Sequence, residues 1–267
     1  MKAKRLNYFL LLIVGFVIIT LLYYKLIYNE RFVQVSENIS TVIRNEYKNT
    51  YENKLGLNHF DISKENFKTL SSLATDTLNL EFASTYTGLT NSDLSNRLNK
   101  FYILINPKQK QTDKTYKNNY YIAFDLKNVV KIDDSIALKM KETYKKEIMN
   151  NQLKIDRLNY SSGNTNTNTE TVKILKKEID TYFNDPVSKS VINLRFNLAA
   201  FPIKTTKIKT GFLSRKYIYD KLGIKENEYQ KTEGQITTIT DSYDSDGNIV
   251  NRLSNFDLNT LCPQNCP

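Results

Sequence analysis

The most distinctive reactive side chains in this chain are two cysteines near its C-terminus, Cys262 and Cys266. Three residues separate them, and a tight turn over such a segment can bring two Cα atoms within the roughly 4.4–6.8 Å that a disulfide requires. The spacing is not the C-x-x-C of redox sites, and a metal ion would need further ligands in a chain with one histidine. We therefore predict a local disulfide. Unpaired or intermolecular thiols, a metal site and redox chemistry are the alternatives.

The single histidine, His59, could act in a hydrolase only beside a nucleophile and an orienting acid. Ser63 or Ser71 would supply the hydroxyl group and Asp61 the carboxylate, as in a Ser-His-Asp triad. No nucleophile elbow of the G-x-S-x-G kind occurs in the chain. The sequence therefore predicts a turn histidine, no catalytic residue and no enzyme.

Three aspartates near the C-terminal end, Asp241, Asp244 and Asp246, are spaced like calcium ligands. The EF-hand pattern fails, because Gly247 at loop position six would place Leu253 where the bidentate glutamate belongs. A hairpin turn explains Asp-Gly at this place without any metal. We therefore predict no metal site and no cofactor, with a calcium loop as the alternative.

A basic segment, 107–119, contains four lysines: Lys108, Lys110, Lys114 and Lys117. Lysines near an anionic surface each contribute on the order of 1 kcal/mol of attraction. The segment could therefore bind a lipid headgroup or an anionic wall polymer, whereas a nucleic-acid partner is not expected. The alternative is a solvated loop, since the whole chain is basic, with 38 Lys and Arg against 28 Asp and Glu.

Local patterns predict the elements that would position these residues. Runs of strand length flank the basic segment at 101–106 and 120–126, and Asp61 is in place to cap a helix through 62–73. A long helix is predicted over 134–158, then a flexible linker at 161–169 and a second helix through 172–183, which together would form a helical hairpin. Strict alternation predicts a strand at 192–198, and further strands are predicted at 203–210, 234–240 and 248–253.

These patterns predict an α+β fold with a mixed helix and antiparallel-sheet domain over 55–254 and a C-terminal tail, 255–267, that carries the cysteines. We expect strands from 101–126 and 191–253 to share one sheet, with helix 134–158 packed on it.

The N-terminus has the pattern of a membrane anchor. Residues 6–24 contain no charged side chain, and nineteen helical residues nearly span a hydrocarbon core of about 30 Å. A cleaved signal peptide, the alternative, would have a shorter apolar run and small residues at its cleavage site. We therefore predict a transmembrane helix over 6–24 that continues into a stalk helix over 25–54.

The charges beside the apolar run predict its orientation. Lys2, Lys4 and Arg5 precede it, whereas Lys25 and Arg31 follow it, which favours a cytoplasmic segment 1–5 and an extracytoplasmic body. The sequence predicts a non-catalytic single-pass protein of the cell membrane that contacts the bilayer and other envelope proteins and could form homo-oligomers. It would be a structural or assembly subunit of a secretion, conjugation, division or surface apparatus. An anchored module that binds an anionic polymer or lipid surface is the alternative, and a carboxylate-based envelope hydrolase is a third.

Overall fold

The computed structural model describes residues 33–261 except 90–93, 95–100, 114, 151–152, 154–167, 204–213, 225, 227–228 and 258. Within this part of the chain the predicted α+β class is confirmed, because helices alternate with strands that pair antiparallel. Among the residues described, no helix has the length and apolar character needed to cross a bilayer. The predicted anchor over 6–24 lies outside them.

The described strands follow in chain order: β1 (Val33–Gln34), β2 (His59–Ser63), β3 (Thr77–Ser84), β4 (Phe101–Pro107), β5 (Gln109–Lys110), β6 (Tyr116–Lys117), β7 (Tyr120–Ala123), β8 (Val129–Ile132), β9 (Thr171–Leu175), β10 (Asn193–Ala200), β11 (Ile236–Tyr243), β12 (Phe256–Asp257) and β13 (Asn259–Leu261). The α-helices are α1 (Glu37–Tyr47), α2 (Lys64–Leu73), α3 (Asp134–Thr143), α4 (Lys176–Asn184), α5 (Arg215–Lys221) and α6 (Tyr229–Thr232). Helix α1 continues through a π-helical segment, Lys48–Glu52, to a last turn at Asn53–Leu55, and α3 continues through the π-helical segment Tyr144–Met149. Short 3₁₀ helices lie at Pro186–Ser190 and Asn251–Leu253.

The strands form two main antiparallel sheets and a small ribbon. Sheet A has the order β1-β12-β11-β10-β2, sheet B has the order β13-β9-β3-β4-β7-β8, and β5 pairs with β6. The prediction of one sheet is therefore wrong: the strands of 101–126 lie in sheet B, whereas β10 and β11 lie in sheet A. Alternation sets which face of a strand is buried but does not specify the sheet to which the strand belongs.

The two sheets are built from a repeated order of elements. A long helix, a short strand, a short helix and two long antiparallel strands occur first as α1-β2-α2-β3-β4 and again as α3-β9-α4-β10-β11. The short strands are exchanged, because β2 pairs with β10 of the second unit and β9 pairs with β3 of the first. The first long strands share a sequence pattern, Leu78-Asn-Leu-Glu-Phe82 and Ile192-Asn-Leu-Arg-Phe196.

Apolar faces of the long helices cover the sheets. Ile39 and Ile43 of α1 are buried in one cluster with Ala199 and Ile239 of sheet A. Ala137 and Met140 of α3 belong to a second cluster with strands of sheet B. In each helix these residues lie three or four positions apart, the spacing that places side chains on one helix face.

The helix predicted over 25–54 is present in part, but it is not a projecting stalk. Ser36 caps its start by accepting a hydrogen bond from the Ile39 amide, and β1 precedes it, so the helix does not continue from residue 33. Tyr47 and Tyr51 are buried, and α1 packs along β10. Helix α1 is therefore part of the folded body, because its apolar stripe has a sheet to cover. Residues 25–32 lie outside the described part.

In the C-terminal half, three segments differ from their predicted structure. The segment 172–183 begins as strand β9 and becomes helical only at Lys176, so it forms no helical hairpin with α3. The end of the predicted linker 161–169 is ordered, because Asn168 and Thr169 are buried and hydrogen-bonded. The start of the predicted tail 255–267 forms β12 in sheet A and β13 in sheet B. Backbone pairing, which the sequence pattern did not show, orders these short segments.

Candidate functional site

A cavity of about 380 Å³ opens where β2 lies beside the ends of β4 and β7. It is lined by Leu57, His59, Phe60, Asp61, Phe101, Tyr102, Ile103, Ile122, Ala123, Phe124, Asp125 and Leu126. Apolar walls with a few polar groups are typical of binding pockets, and the volume lies within the usual range of about 300–1,000 Å³. We treat this cavity as the candidate site.

Asp61, which lines the cavity, is paired with a residue of the neighbouring strand in sheet A. Register places Asp61 of β2 opposite Arg195 of β10, and the guanidinium group donates from Nε to Asp61 Oδ1 at 2.8 Å and from Nη2 to Oδ2 at 3.0 Å. His59 Nε2 lies 3.8 Å from Asp61 Oδ2. Asp61 was predicted to cap a helix. Instead it lies within β2, and Ser63 caps α2.

The hydroxyl groups proposed as partners of His59 are used in helix structure. Ser63 Oγ accepts a hydrogen bond from the Asn66 amide, and Ser71 Oγ donates to the Lys68 carbonyl within α2. Both Asp61 oxygens accept from Arg195, which makes the carboxylate a partner of a cation rather than the orienting acid of an imidazole. The geometry therefore assembles no Ser-His-Asp triad from these residues.

His59 makes stability sensitive to mild acid. Burial, together with the nearby Arg195 cation, lowers the pKa of His59, and Asp61 opposes this only in part. Because the unfolded chain then binds a proton more readily than the folded chain, the free energy of unfolding should fall as pH drops through and below the unfolded value near 6.5. His59→Gln should remove this dependence. Urea midpoints measured between about pH 7.5 and 5.5 test it, since this is the chain's single histidine. A slope that persists in the variant would contradict the assignment.

Among the four lysines proposed to contact an anionic surface, the three that the structure describes have different surroundings. Lys110 and Lys117 are exposed on the β5–β6 ribbon, and Lys114 lies outside the described residues. Lys108 instead points to the core: its Nζ donates to Asn118 Oδ1 at 2.5 Å and lies 3.8 Å from Glu81 Oε1. Burial lowers the pKa of Lys108, although Glu81 acts in the opposite direction. Lys108 thus has a structural role in place of the expected surface contact.

Glu81, which the sequence analysis did not single out, is the centre of a buried charge cluster in sheet B. Its side chain is 2% exposed, and its Oε2 forms an ion pair with Lys141 Nζ of α3. Asn106 Nδ2 donates to Glu81 Oε1 at 2.7 Å. A buried carboxylate needs such partners, because removing it from water unpaired is very costly. This cluster joins α3 to sheet B.

Glu81 and Arg195 occupy the same place in the repeated pattern, Leu-Asn-Leu-Glu-Phe and Ile-Asn-Leu-Arg-Phe. Each central charge is paired, Glu81 with Lys141 and Arg195 with Asp61. The similarity of the two pentapeptides is the sequence signal that would identify Glu81 and Arg195 as equivalent residues.

The aspartates of the proposed calcium loop do not converge. Asp241 Oδ1 accepts from Arg44 Nη2 at 2.9 Å. Asp244 Oδ1 accepts from the amides of Asp246 and Asn248 at 3.0 and 2.8 Å, which organises the turn. In the described part of the chain, no group of three or more acidic, histidine or cysteine side chains could hold a metal ion. The predicted second strand of this hairpin is reduced to a single bridge, Tyr243 with Ile249.

Cys262 and Cys266 lie outside the described residues, so the predicted disulfide stays a prediction. Comparison of the chain with protein-family models, curated proteins and solved structures gave no match.

Proposed function

We propose that the protein is a non-catalytic, single-pass membrane protein whose folded body serves as a structural or assembly subunit of a cell-envelope apparatus. The uncharged run 6–24 supports an anchor of bilayer length. Lys2, Lys4 and Arg5 support an orientation with the N-terminus in the cytoplasm and the body outside it.

The observation that carries the non-catalytic assignment is the pairing of Asp61 with Arg195 at the cavity wall. Both carboxylate oxygens are held at hydrogen-bonding distance by one guanidinium group. The carboxylate is thus engaged by a cation and does not orient the His59 imidazole, and the hydroxyl groups of Ser63 and Ser71 are used in helix structure, so these residues assemble no pair of nucleophile and base. The cavity is better suited to holding a partner than to activating one.

A binding module for an anionic polymer or lipid surface is the second candidate. The observation that favours it is the β5–β6 ribbon, where Lys110 and Lys117 are exposed and Tyr116 is 47% exposed. Lys108 opposes it, because its ammonium group is engaged with Asn118 and Glu81. Of the three described lysines, only Lys110 and Lys117 are thus exposed on the ribbon.

A crosslinked pull-down from membranes, with an affinity tag after Pro267, distinguishes the two. Recovery of discrete protein partners supports the assembly role, and recovery of anionic polymer alone supports the second candidate. The matched control carries Lys110→Gln and Lys117→Gln, which should leave protein partners unchanged and reduce polymer recovery. Loss of the protein partners in this control would contradict the proposal.

Membrane topology gives a separate prediction. We expect the chain to stay in the membrane after carbonate extraction and a membrane-impermeant maleimide to label intact cells only after reduction. The physical reason is that an extracytoplasmic compartment favours a disulfide between Cys262 and Cys266. A variant with both cysteines replaced by serine is the control for background labelling. Labelling only after cell lysis would place the body inside and overturn the proposed orientation.

A further inference from the structure

In the part of the chain that the structure describes, one edge of sheet A has no neighbouring strand beside the cavity. Strand β2 is the last strand of the sheet and pairs with β10 on one side. The Leu198 amide donates to the Asn58 carbonyl and the Lys64 amide to the Ile192 carbonyl, so even-numbered residues of β2 bond to β10. Because backbone direction alternates in an antiparallel strand, the amides and carbonyls of His59 and Asp61 point outward. Within the residues described, they have no backbone partner.

The open edge is short and has a defined end. Outward-facing Ser63 donates its amide to the Leu126 carbonyl at 3.2 Å, so the connection after β7 closes the edge at that residue. His59 and Asp61 remain, and together they can exchange four backbone hydrogen bonds with a segment of about three residues. Unpaired strand edges are ready templates for another extended chain.

The repeat indicates what covers such an edge. Strand β9 holds in sheet B the place that β2 holds in sheet A, since each is the exchanged short strand beside the first long strand. The outer edge of β9 is paired antiparallel with β13, three residues long. Among the described strands, an edge built in the same way is thus covered by an extended segment in one sheet and uncovered in the other.

The cavity beside β2 defines the chemistry of the missing segment. Its apolar walls include Ile103, Ile122 and Phe124, which suit an aliphatic side chain. Its carboxylates are those of Asp61, which is paired with Arg195, and Asp125. A cationic side chain in the segment would therefore complement the rim beside Asp125.

We propose that the β2 edge binds an extended segment of a partner protein, paired antiparallel with His59 and Asp61. An aliphatic side chain of the segment enters the cavity, and a lysine or arginine two positions along the segment, on the same face, lies near Asp125. This is β-strand addition, in which main-chain hydrogen bonds supply affinity and a side-chain pocket supplies specificity. The inference deepens the assembly role and depends on it for the existence of a protein partner.

The test uses the full chain in lipid nanodiscs and a fluorescein-labelled peptide of about seven residues, with a central leucine, two lysines and threonine elsewhere. Fluorescence polarisation measures binding, and empty nanodiscs give the background. His59→Pro removes one outward amide and leaves the bonds to β10 intact, whereas His59→Gln keeps that amide. Ala123→Phe fills the cavity without changing β2.

We expect saturable binding that weakens about tenfold or more in both His59→Pro and Ala123→Phe. The proline leaves a carbonyl group of the peptide without its hydrogen-bond donor, and the phenylalanine excludes the leucine side chain from the cavity. His59→Gln should stay within about twofold of the unchanged chain, and a peptide with glutamate in place of lysine should bind more weakly. Absence of saturable binding would overturn the proposal. So would proline and phenylalanine variants that bind the peptide as tightly as the unchanged chain does. Self-association that His59→Pro abolishes would assign the edge to a second copy and overturn the partner assignment. This test needs no cellular partner, so its failure is distinguishable from failure of the pull-down.

Discussion

Replacement of Glu81 by glutamine is expected to lower the free energy of unfolding by about 3–5 kcal/mol, the usual cost of removing one partner of a buried ion pair. The carboxylate is 2% exposed and lies between Lys141 and Lys108. Without it, two ammonium groups that are themselves largely buried would face each other with no counter-charge. Urea unfolding followed by circular dichroism measures the change.

The matched control for this prediction is Glu142→Gln. Glu142 pairs with Lys146 across one turn of α3, but both side chains are about two-thirds exposed, at 67% and 71%. Solvent screening limits such pairs to about 0.5 kcal/mol, so the control should be nearly neutral. Equal effects of the two substitutions would contradict a structural role for the Glu81 cluster.

Local periodicity was sufficient to predict several elements. The strands predicted at 101–106 and 192–198 are confirmed as β4 and β10, and the helix predicted from residue 134 is confirmed through Met149. Strand β3 was not predicted, although Leu78, Leu80 and Phe82 alternate with polar residues. This alternation is the sequence signal that would have predicted β3.

Long-range pairing could not be predicted in the same way. The helical spacing of Val172, Leu175 and Ile179 predicts a helix where β9 lies. The segment is a strand because β3 of the other unit pairs with it. The exchange of β2 and β9 likewise cannot be predicted from the pattern within ten or twenty residues, because each strand pairs with one that is far away in sequence. Tertiary context overrides propensity in short segments of this kind.

The candidate site was predicted only in part. His59 and Asp61 are two positions apart in the chain, which predicts that they lie close together, and their side chains lie 3.8 Å apart. Arg195, which donates hydrogen bonds to both oxygens of Asp61, is far away in sequence. It lies beside Asp61 because of the register of β2 with β10. Lys108 was grouped with its sequence neighbours, whereas its partner Glu81 lies on the adjacent strand.

The exchange of strands leads to the second large expected effect: Phe82→Ala and Phe196→Ala should each destabilise the whole body by about 3–5 kcal/mol, the usual range for a buried phenylalanine. The two residues hold equivalent places in the repeat and are 1% and 0% exposed. Phe82 packs edge-on against Phe101 at 5.4 Å, and Phe196 stacks on Phe60 at 4.8 Å. Each truncation therefore removes an aromatic contact as well as buried area.

Because each sheet contains a strand from both units, neither unit can unfold without removing a strand from the sheet of the other. We expect hydrogen exchange to show amides of β3 and of β10 losing protection together in either variant, with a single urea transition and an unchanged m-value. Tyr217→Ala on α5 is the aromatic control, since that ring is 43% exposed and its loss should cost at most about 1 kcal/mol. Two transitions, with each variant affecting one sheet alone, would show that the units are independent domains. Joint loss of protection would mean that a partner bound at the β2 edge stabilises both sheets, because unfolding of either unit separates β2 from β10.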